Sequence, residues 1–212
     1  MKATNKPLVI LFAKAPQIGS VKTRLSPSLT PAQAAELHRR LVDRLWRQLN
    51  SLHAYLDAEL HTDLPTGAWP EAAPHRLQTS GDLGARMLFA LHSALQNQRP
   101  KAMILGSDVY DLPDDHLLSL LHSDADIAFG ACPDGGYWGI ACRRVHREMF
   151  LGVRWSTPHT LADTIRAAQR CGLTTQIGPA WRDIDTPQDL ALLPEPFILS
   201  LREGTNSENP RV

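Results

Sequence analysis

The sequence has little cysteine, and what it has does not pair up. Cys132, Cys142 and Cys171 form no C-x-x-C pair and leave an odd count, which points to a reduced, cytoplasmic setting. Cys132 and Cys142 flank an expected turn and read as buried apolar side chains. There is no excess of charge either. Lys plus Arg (22) equals Asp plus Glu (22), so no net field draws the chain to nucleic acid or to an anionic membrane. No long apolar run occurs. The polar start is followed by a short hydrophobic stretch at residues 7–13, too short for a secretory core and far too short to span a bilayer. The nine histidines lack H-E-x-x-H or other ligand-like spacing, which argues against a zinc site. Repeats, low-complexity tracts and a G-x-x-x-x-G-K-[ST] loop are also missing, so this is not a P-loop protein.

What remains is an ordinary globular composition, 43% hydrophobic and 21% charged in 212 residues, sized for one domain. The expectation is a single α/β domain over residues 1–200 and a polar, disordered tail over 201–212. Apolar runs at 7–13, 54–60, 102–105, 126–132 and 173–177, with a short segment at 75–78, read as strands. Helical patterns alternate with them. Thr30-Pro31 with Gln33 is a capping-box start, and Leu37, Leu41, Leu45, Leu49 and Leu52 form one apolar stripe behind it. His38, Arg39, Arg40, Arg44 and Arg47 read as the wet face of that helix. Further helices are expected from about 83, 113 and 158, and after Thr186-Pro187, where Asp189 completes a capping-box-like pattern.

The centre of the chain is AMILGSDVYDL, residues 102–112. A buried strand ends there at Gly106-Ser107, and Asp108 follows. In an open α/β sheet, ligands sit beyond the carboxyl ends of the strands. A carboxylate placed there can hold a hard divalent cation, which in turn holds phosphate; a simple turn cap is the alternative. Other segments supply complementary chemistry. Lys14, Lys22 and Arg24 crowd a glycine-containing loop directly after the first strand, an arrangement suited to anions. The loop QTSGDLGARM (78–87) brings Asp82 and Arg86 to a helix N-terminus, either as an anion site or as a plain cap. Asp134-Gly135-Gly136 is a tight turn carrying a second strand-end acid, with backbone open to close approach. Tyr137 and Trp138 follow as pocket walls, one of them expected to face the core. Asp183 and Asp185 alternate with Ile184, so both acids project to one side of an extended segment.

Six segments occur in register: FAKAPQIGSVKTRL (12–25), QTSGDLGARM (78–87), GSD (106–108), DGGY (134–137), WST (155–157) and DIDTPQDL (183–190). Together they resemble the bacterial glycosyltransferase-A-type family known as domain of unknown function 2064. Some of its members are described as selenodomain-associated or arsenosugar-biosynthesis glycosyltransferases. The resemblance spans about residues 7–193. It implies a nucleotide-diphospho-sugar transferase fold, a three-layer α/β/α sandwich on a mostly parallel sheet. It also implies distant kinship to small nucleotidyltransferases. By position it assigns Asp108 and Asp185 to a Mg or Mn ion, and Lys14, Lys22, Arg24, Asp82 and Arg86 to the nucleotide and its phosphates. Asp108, Asp134 and Lys22 become catalytic, and Gly135, Gly136, Tyr137 and Trp155 lie on the acceptor side. Two departures stand out: Tyr110 occupies the place of a usual proline, and Gly130-Ala131 replaces a usual Gly-Pro. Neither deletes a carboxylate or a cation.

The expected activity is a metal-dependent transfer from a nucleotide-activated donor, foremost a nucleotide sugar, to a small acceptor, with no nucleic-acid partner and no membrane span. The oligomeric state is open. A nucleotidyltransferase releasing pyrophosphate is the alternative. The Asp183/Asp185 pair speaks for it, and the lack of an L-x-A-G-G-x-G-type loop after the first strand speaks against it. A non-catalytic nucleotide-binding module is the third reading.

Overall fold

The structure, a computed structural model, describes residues 5–69 and 75–204, with side chains up to Leu201. Its centre is a seven-stranded sheet: β1 Leu8–Ala13, β2 Asp57–Thr62, β3 His75–Leu77, β4 Ala102–Gly106, β5 Ile127–Ala131, β6 Tyr137–Cys142 and β7 Thr175–Ile177. The strand order is β3-β2-β1-β4-β6-β5-β7. β6 alone runs against its neighbours β4 and β5, and every other pairing is parallel. This is a mixed α/β architecture on a mostly parallel sheet, as the family resemblance implied.

The apolar runs read as strands because both faces of the sheet are covered. In β1 the side chains alternate between two cores. Val9, Leu11 and Ala13 join Leu45, Leu49 and Leu120 on one face; Leu8, Ile10 and Phe12 join Met87, Leu91 and Ala167 on the other. Helices α1 (Pro31–Ser51) and α3 (Asp114–His122) cover the first face, α2 (Leu83–Gln96) and α4 (Thr160–Arg170) the second. A third cluster seats α5 (Glu195–Gly204) on α1 through Leu37, Leu41 and Leu201.

Local signals act as the residue types dictate. Thr30 Oγ1 accepts from Gln33 N–H at 3.3 Å while Gln33 Oε1 accepts from Thr30 N–H at 2.9 Å, a reciprocal cap with Pro31 in the first turn. The five-leucine stripe of α1 is buried throughout, each side chain contributing about 2 kcal/mol of transfer free energy. Asp134, Gly135 and Gly136 turn β5 into the antiparallel β6, with a register shift at Gly130/Ala131.

Several boundaries differ from expectation. The second strand begins at Asp57 rather than at 54. Thr186 and Asp189 do form a capping box, but the turn they open is a six-residue 3-10 helix, Pro187–Leu192. The α4 helix begins at Thr160, two residues after the expected start, with His159 as its cap and Thr157 Oγ1 accepting from the His159 N–H at 3.2 Å. Folded structure continues past residue 200: α5 runs to Gly204 and Leu201 is fully buried. The remainder of the expected tail, 205–212, and part of the proline-rich loop before His75, 70–74, lie outside the described residues.

Gly130 lies under the Trp138 indole, where an added Cβ would stand 2.0 Å from the ring. A substitution there must displace a ring that is 2% exposed. Gly130→Ala should therefore cost about 1–3 kcal/mol, read as a lowered urea midpoint. Gly67→Ala, where a Cβ meets nothing within 4 Å, should leave the midpoint unchanged. Equal midpoints for both variants would contradict this packing.

Candidate functional site

Strands β1, β2, β4 and β5 are parallel, so their carboxyl ends share one edge of the sheet. The segment after β7 crosses that edge and is fastened by main-chain bonds. Gly178 N–H reaches Phe129 O at 2.8 Å, Trp181 N–H reaches Ala131 O at 2.9 Å, and Ile184 N–H reaches Asp108 O at 2.8 Å. Asp183 also pairs with Val109 in an antiparallel bridge. Acids from the β4 end, the β5 end and this crossing strap thus meet in one crevice.

Lys22 lies at their centre. Its ammonium stands 2.6 Å from Asp108 Oδ1 and 2.8 Å from Asp185 Oδ1, and donates to Ile184 O at 2.7 Å. The side chain is only 4% exposed. Burial disfavours the charge, but Asp108 and Asp185 more than offset it and hold the ammonium pKa above its ordinary value. Asp108 keeps 44% of its side chain open. Its packed surroundings work against ionisation, yet the Lys22 charge prevails and the carboxyl titrates below the usual range. Arg24, largely exposed, approaches Asp185 Oδ2 at 3.9 Å.

His38 was expected on the wet face of α1, and the structure corrects this: it is 3% exposed and faces the site. A carbonyl only accepts, so the Nε2 that lies 2.9 Å from Lys14 O carries the proton. Nδ1 then faces Asp108 Oδ1 at 3.9 Å. Desolvation lowers the imidazole pKa and keeps the ring neutral. A helical pattern could not distinguish His38 from its arginine neighbours, since the site is closed by a loop 24 residues away.

Beside the Lys22 cluster, ligand atoms of Cys132, Asp134 and Asp183 lie within 4.8 Å of one another. Burial, then Asp185 and Asp134, push the Asp183 carboxyl up to about 6. The Cys132 thiol is raised by burial first and by the same acids, so it stays protonated. Asp134 itself is exposed and accepts from Gly136 N–H at 2.9 Å.

The other expected site residues fall in varied places. The Lys14 side chain is exposed at the mouth of the loop. Asp82 is the N-cap of α2, accepting from Ala85 N–H at 2.8 Å. Arg86 donates to Gln78 Oε1 at 2.8 Å, and Gln78 in turn donates to His61 O at 3.0 Å and Ala13 O at 3.2 Å. This motif therefore ties α2 to the ends of β1 and β2, which the sequence did not signal. Gly135 has φ +87° and sits against the Pro158 backbone, where a Cβ would come within 2.1 Å of its carbonyl oxygen; Gly136 follows it in the turn. Tyr137 turns into the core against Phe129, with its hydroxyl buried. Trp155 packs at a tilt against Phe150 and closes over Gly84. Both aromatics of the acceptor-side set are thus committed to packing, at least in part, as is Trp138 in the opposite core.

The sheet order and this acid-lined edge define an α/β domain with a candidate site beyond its strand ends, and comparison with known proteins adds its family. Residues 33–157 match the family described as an uncharacterized protein conserved in bacteria, DUF2064, and the chain belongs to this family. A Desulfovibrio desulfuricans G20 structure, provisionally described as a nucleotide-diphospho-sugar transferase, is 26% identical over 96% of both chains with a TM-score of 0.78. CMP:2-keto-3-deoxy-manno-octonic acid synthetase complexed with CTP shares the fold at 11% identity and a TM-score of 0.57, over 94% of this chain and 99% of that one. So does 2-C-methyl-D-erythritol 4-phosphate cytidylyltransferase from Thermus thermophilus, at 15% identity and a TM-score of 0.52, over 94% of this chain and all of that one. Among curated proteins, none matches. No helix among the described residues is long and apolar enough to cross a membrane.

The raised Asp183 carboxyl has a consequence for stability. The unfolded chain releases this proton near pH 4, whereas the folded one keeps it to about 6. Between those values the folded state binds more protons, so stability falls as pH rises through that window. Asp183→Asn should be more stable than the native chain above pH 6, by on the order of 1 kcal/mol after solvent screening. The gap should close below pH 4. Urea titrations in chelator at both ends of the window test this, and a gap that does not change with pH would refute it.

Proposed function

We propose that the chain is a transferase acting on a nucleotide-activated donor, with a nucleotide sugar as the donor and a small hydroxyl-bearing molecule as the acceptor. Family membership and the nucleotide-using transferases that share its fold support a nucleotide-using enzyme. The observation that carries the reading is the pair Asp108 and Asp185 converging on one cation at the strand ends. That cation is the Lys22 ammonium, a stand-in that measures the pair's fitness for positive charge. Asp108 and Asp185 would hold a Mg or Mn ion, which when bound neutralises the donor diphosphate and the departing nucleotide.

The chain's own residues supply the rest. Lys14 and Arg24, exposed at the mouth of the first loop, attract the phosphates and stabilise the charge that builds on the leaving group. Asp134, exposed on the β5–β6 turn, orients the acceptor hydroxyl and takes its proton. The acceptor oxygen then bonds the sugar carbon as the sugar–phosphate bond breaks, and the electron pair leaves with the nucleoside diphosphate. Gly136 keeps the turn beside Asp134 free of a bulky side chain, which gives the acceptor room, while Gly135 lets the turn close on Pro158. The reading places the reaction in the cytoplasm, in keeping with three free cysteines.

Nucleotidyl transfer is the second reading, favoured by the fold shared with two cytidylyl-type enzymes. It uses the same crevice but releases pyrophosphate.

A thermal-shift panel of nucleotide sugars and nucleoside triphosphates, with and without Mn, tests the assignment. One nucleotide sugar should raise the melting temperature in a metal-dependent way, and turnover should yield nucleoside diphosphate. Asp108→Asn should weaken that metal-dependent binding at least tenfold, on the order of 1.4 kcal/mol. Undiminished binding in the variant would remove Asp108 from the site. Pyrophosphate as the product would replace sugar transfer by nucleotidyl transfer.

A further inference from the structure

Lysine carries three N–H donors and no acceptor. In Lys22 all three have protein partners: Asp108 Oδ1 at 2.6 Å, Asp185 Oδ1 at 2.8 Å and Ile184 O at 2.7 Å. None is left for a phosphate. The same ammonium stands between the two carboxylates that a divalent cation would need. Lys22 as placed is therefore a competitor of the metal and not a phosphate ligand. Its backbone adds a second, independent sign of a poised arrangement: φ is +52° and ψ +33°, a left-handed conformation disfavoured for a residue with a side chain. Residues 17–20 are exposed, as are Thr23 and Arg24, while Val21 and Leu25 are buried and anchor the backbone, so the exchange needs a swing of the Lys22 side chain alone, resisted chiefly by its three bonds.

We propose that Lys22 is the resident counter-cation of Asp108 and Asp185, and that a divalent cation enters by exchanging with it, freeing the ammonium for the polyphosphate of the donor. This rests on the metal-assisted reading above and adds an order to it. Metal alone must break three bonds of Lys22 and leaves the ammonium without a partner, so it binds weakly. Polyphosphate alone meets a lysine with no free donor. Each ligand removes the obstacle to the other, so the two bind with positive coupling, and the coupling is reciprocal. A metal-loaded site without donor is disfavoured, which protects the crevice from idle metal and ties its assembly to arrival of the substrate.

Two measurements test the exchange. In the native protein, brief acetylation followed by peptide mass spectrometry reads the accessibility of Lys22. Saturating Mn(II) should raise its labelling several-fold, and further addition of pyrophosphate should lower it again. In Lys22→Met, Mn(II) affinity without pyrophosphate, from the electron paramagnetic resonance of free Mn(II), should be at least tenfold higher than in the native chain. Pyrophosphate should then improve it far less. The labelling arm needs no variant and stands even if Lys22→Met folds poorly. Labelling unchanged by saturating Mn(II), or a variant that binds Mn(II) no tighter than a metal-binding native chain, overturns the exchange and leaves the metal assignment intact. Failure of both proteins to bind Mn(II), with pyrophosphate or without, overturns the exchange and the metal-assisted reading together.

Discussion

One ammonium held against two carboxylates fixes the geometry of the functional edge. The Lys22 side chain brings together three pieces of chain that are remote in sequence: the loop after β1, the end of β4 and the strap after β7. Arg24 stands 3.9 Å from Asp185, but Asp183 and Asp134 lie beside the same cluster, so the acids outnumber the cations and the contact is not a neutral staple. Breaking a buried ion pair from one side costs about 3–5 kcal/mol, because the partner is stranded. Here the carboxylate side chains keep 44% and 32% of their surface open, so water limits that cost. The result is an interaction strong enough to position the loop and weak enough to be exchanged. A fully buried triad would position the loop equally well but could not be exchanged.

The sheet delivers the remaining chemistry through its one reversed strand. Had β5 been followed by another crossover helix, the chain would have left the functional edge. The hairpin to β6 instead keeps residues 132–136 at that edge and returns the chain between β4 and β5. The tight fit of Gly130 under Trp138 and of Gly135 on Pro158 fixes where this turn sits. Asp134 and the Cys132 thiol thereby come next to Asp183, and the crowding shows as the raised Asp183 carboxyl.

Much of this was legible in the sequence because it is local. The leucine stripe of α1, the Thr30 cap, the strand runs and the Asp-Gly-Gly turn are set by periodicity and residue type over a few positions. The acids at 108, 134 and 185 were legible too, since each follows a recognisable strand or precedes a cap. What could not be read was pairing across distance. His38 repeats with its arginine neighbours on α1, and only the fold turns it toward Asp108. Asp82 and Arg86 read equally well as an anion site or a cap, and in the structure both are tied to α2 and Gln78. Lys22 was legible as a cation near phosphates, but not as a cation whose donors are already taken.

The placement of the late acids shows how an apolar contact can set an electrostatic one. In extended chain, residues i and i+2 share a side and the residue between them points the other way. Ile184, between Asp183 and Asp185, is 1% exposed and packs among Leu25, Leu29 and Leu41. Its burial turns both acids outward into the crevice, one toward Cys132 and Asp134, the other toward Lys22. The carbonyl of Ile184 is the third partner of the Lys22 ammonium, and its N–H holds Asp108 O. Tyr110, standing where the resemblance led one to expect proline, supports the same strap from below. Its carbonyl accepts from Trp181 Nε1 at 2.9 Å, while its ring meets Phe197 and lies under Arg44. Stability gained by packing Ile184, Tyr110 and Trp181 is thus what holds like charges within reach of one another. The repulsion among them is the condition for binding a cation there at all.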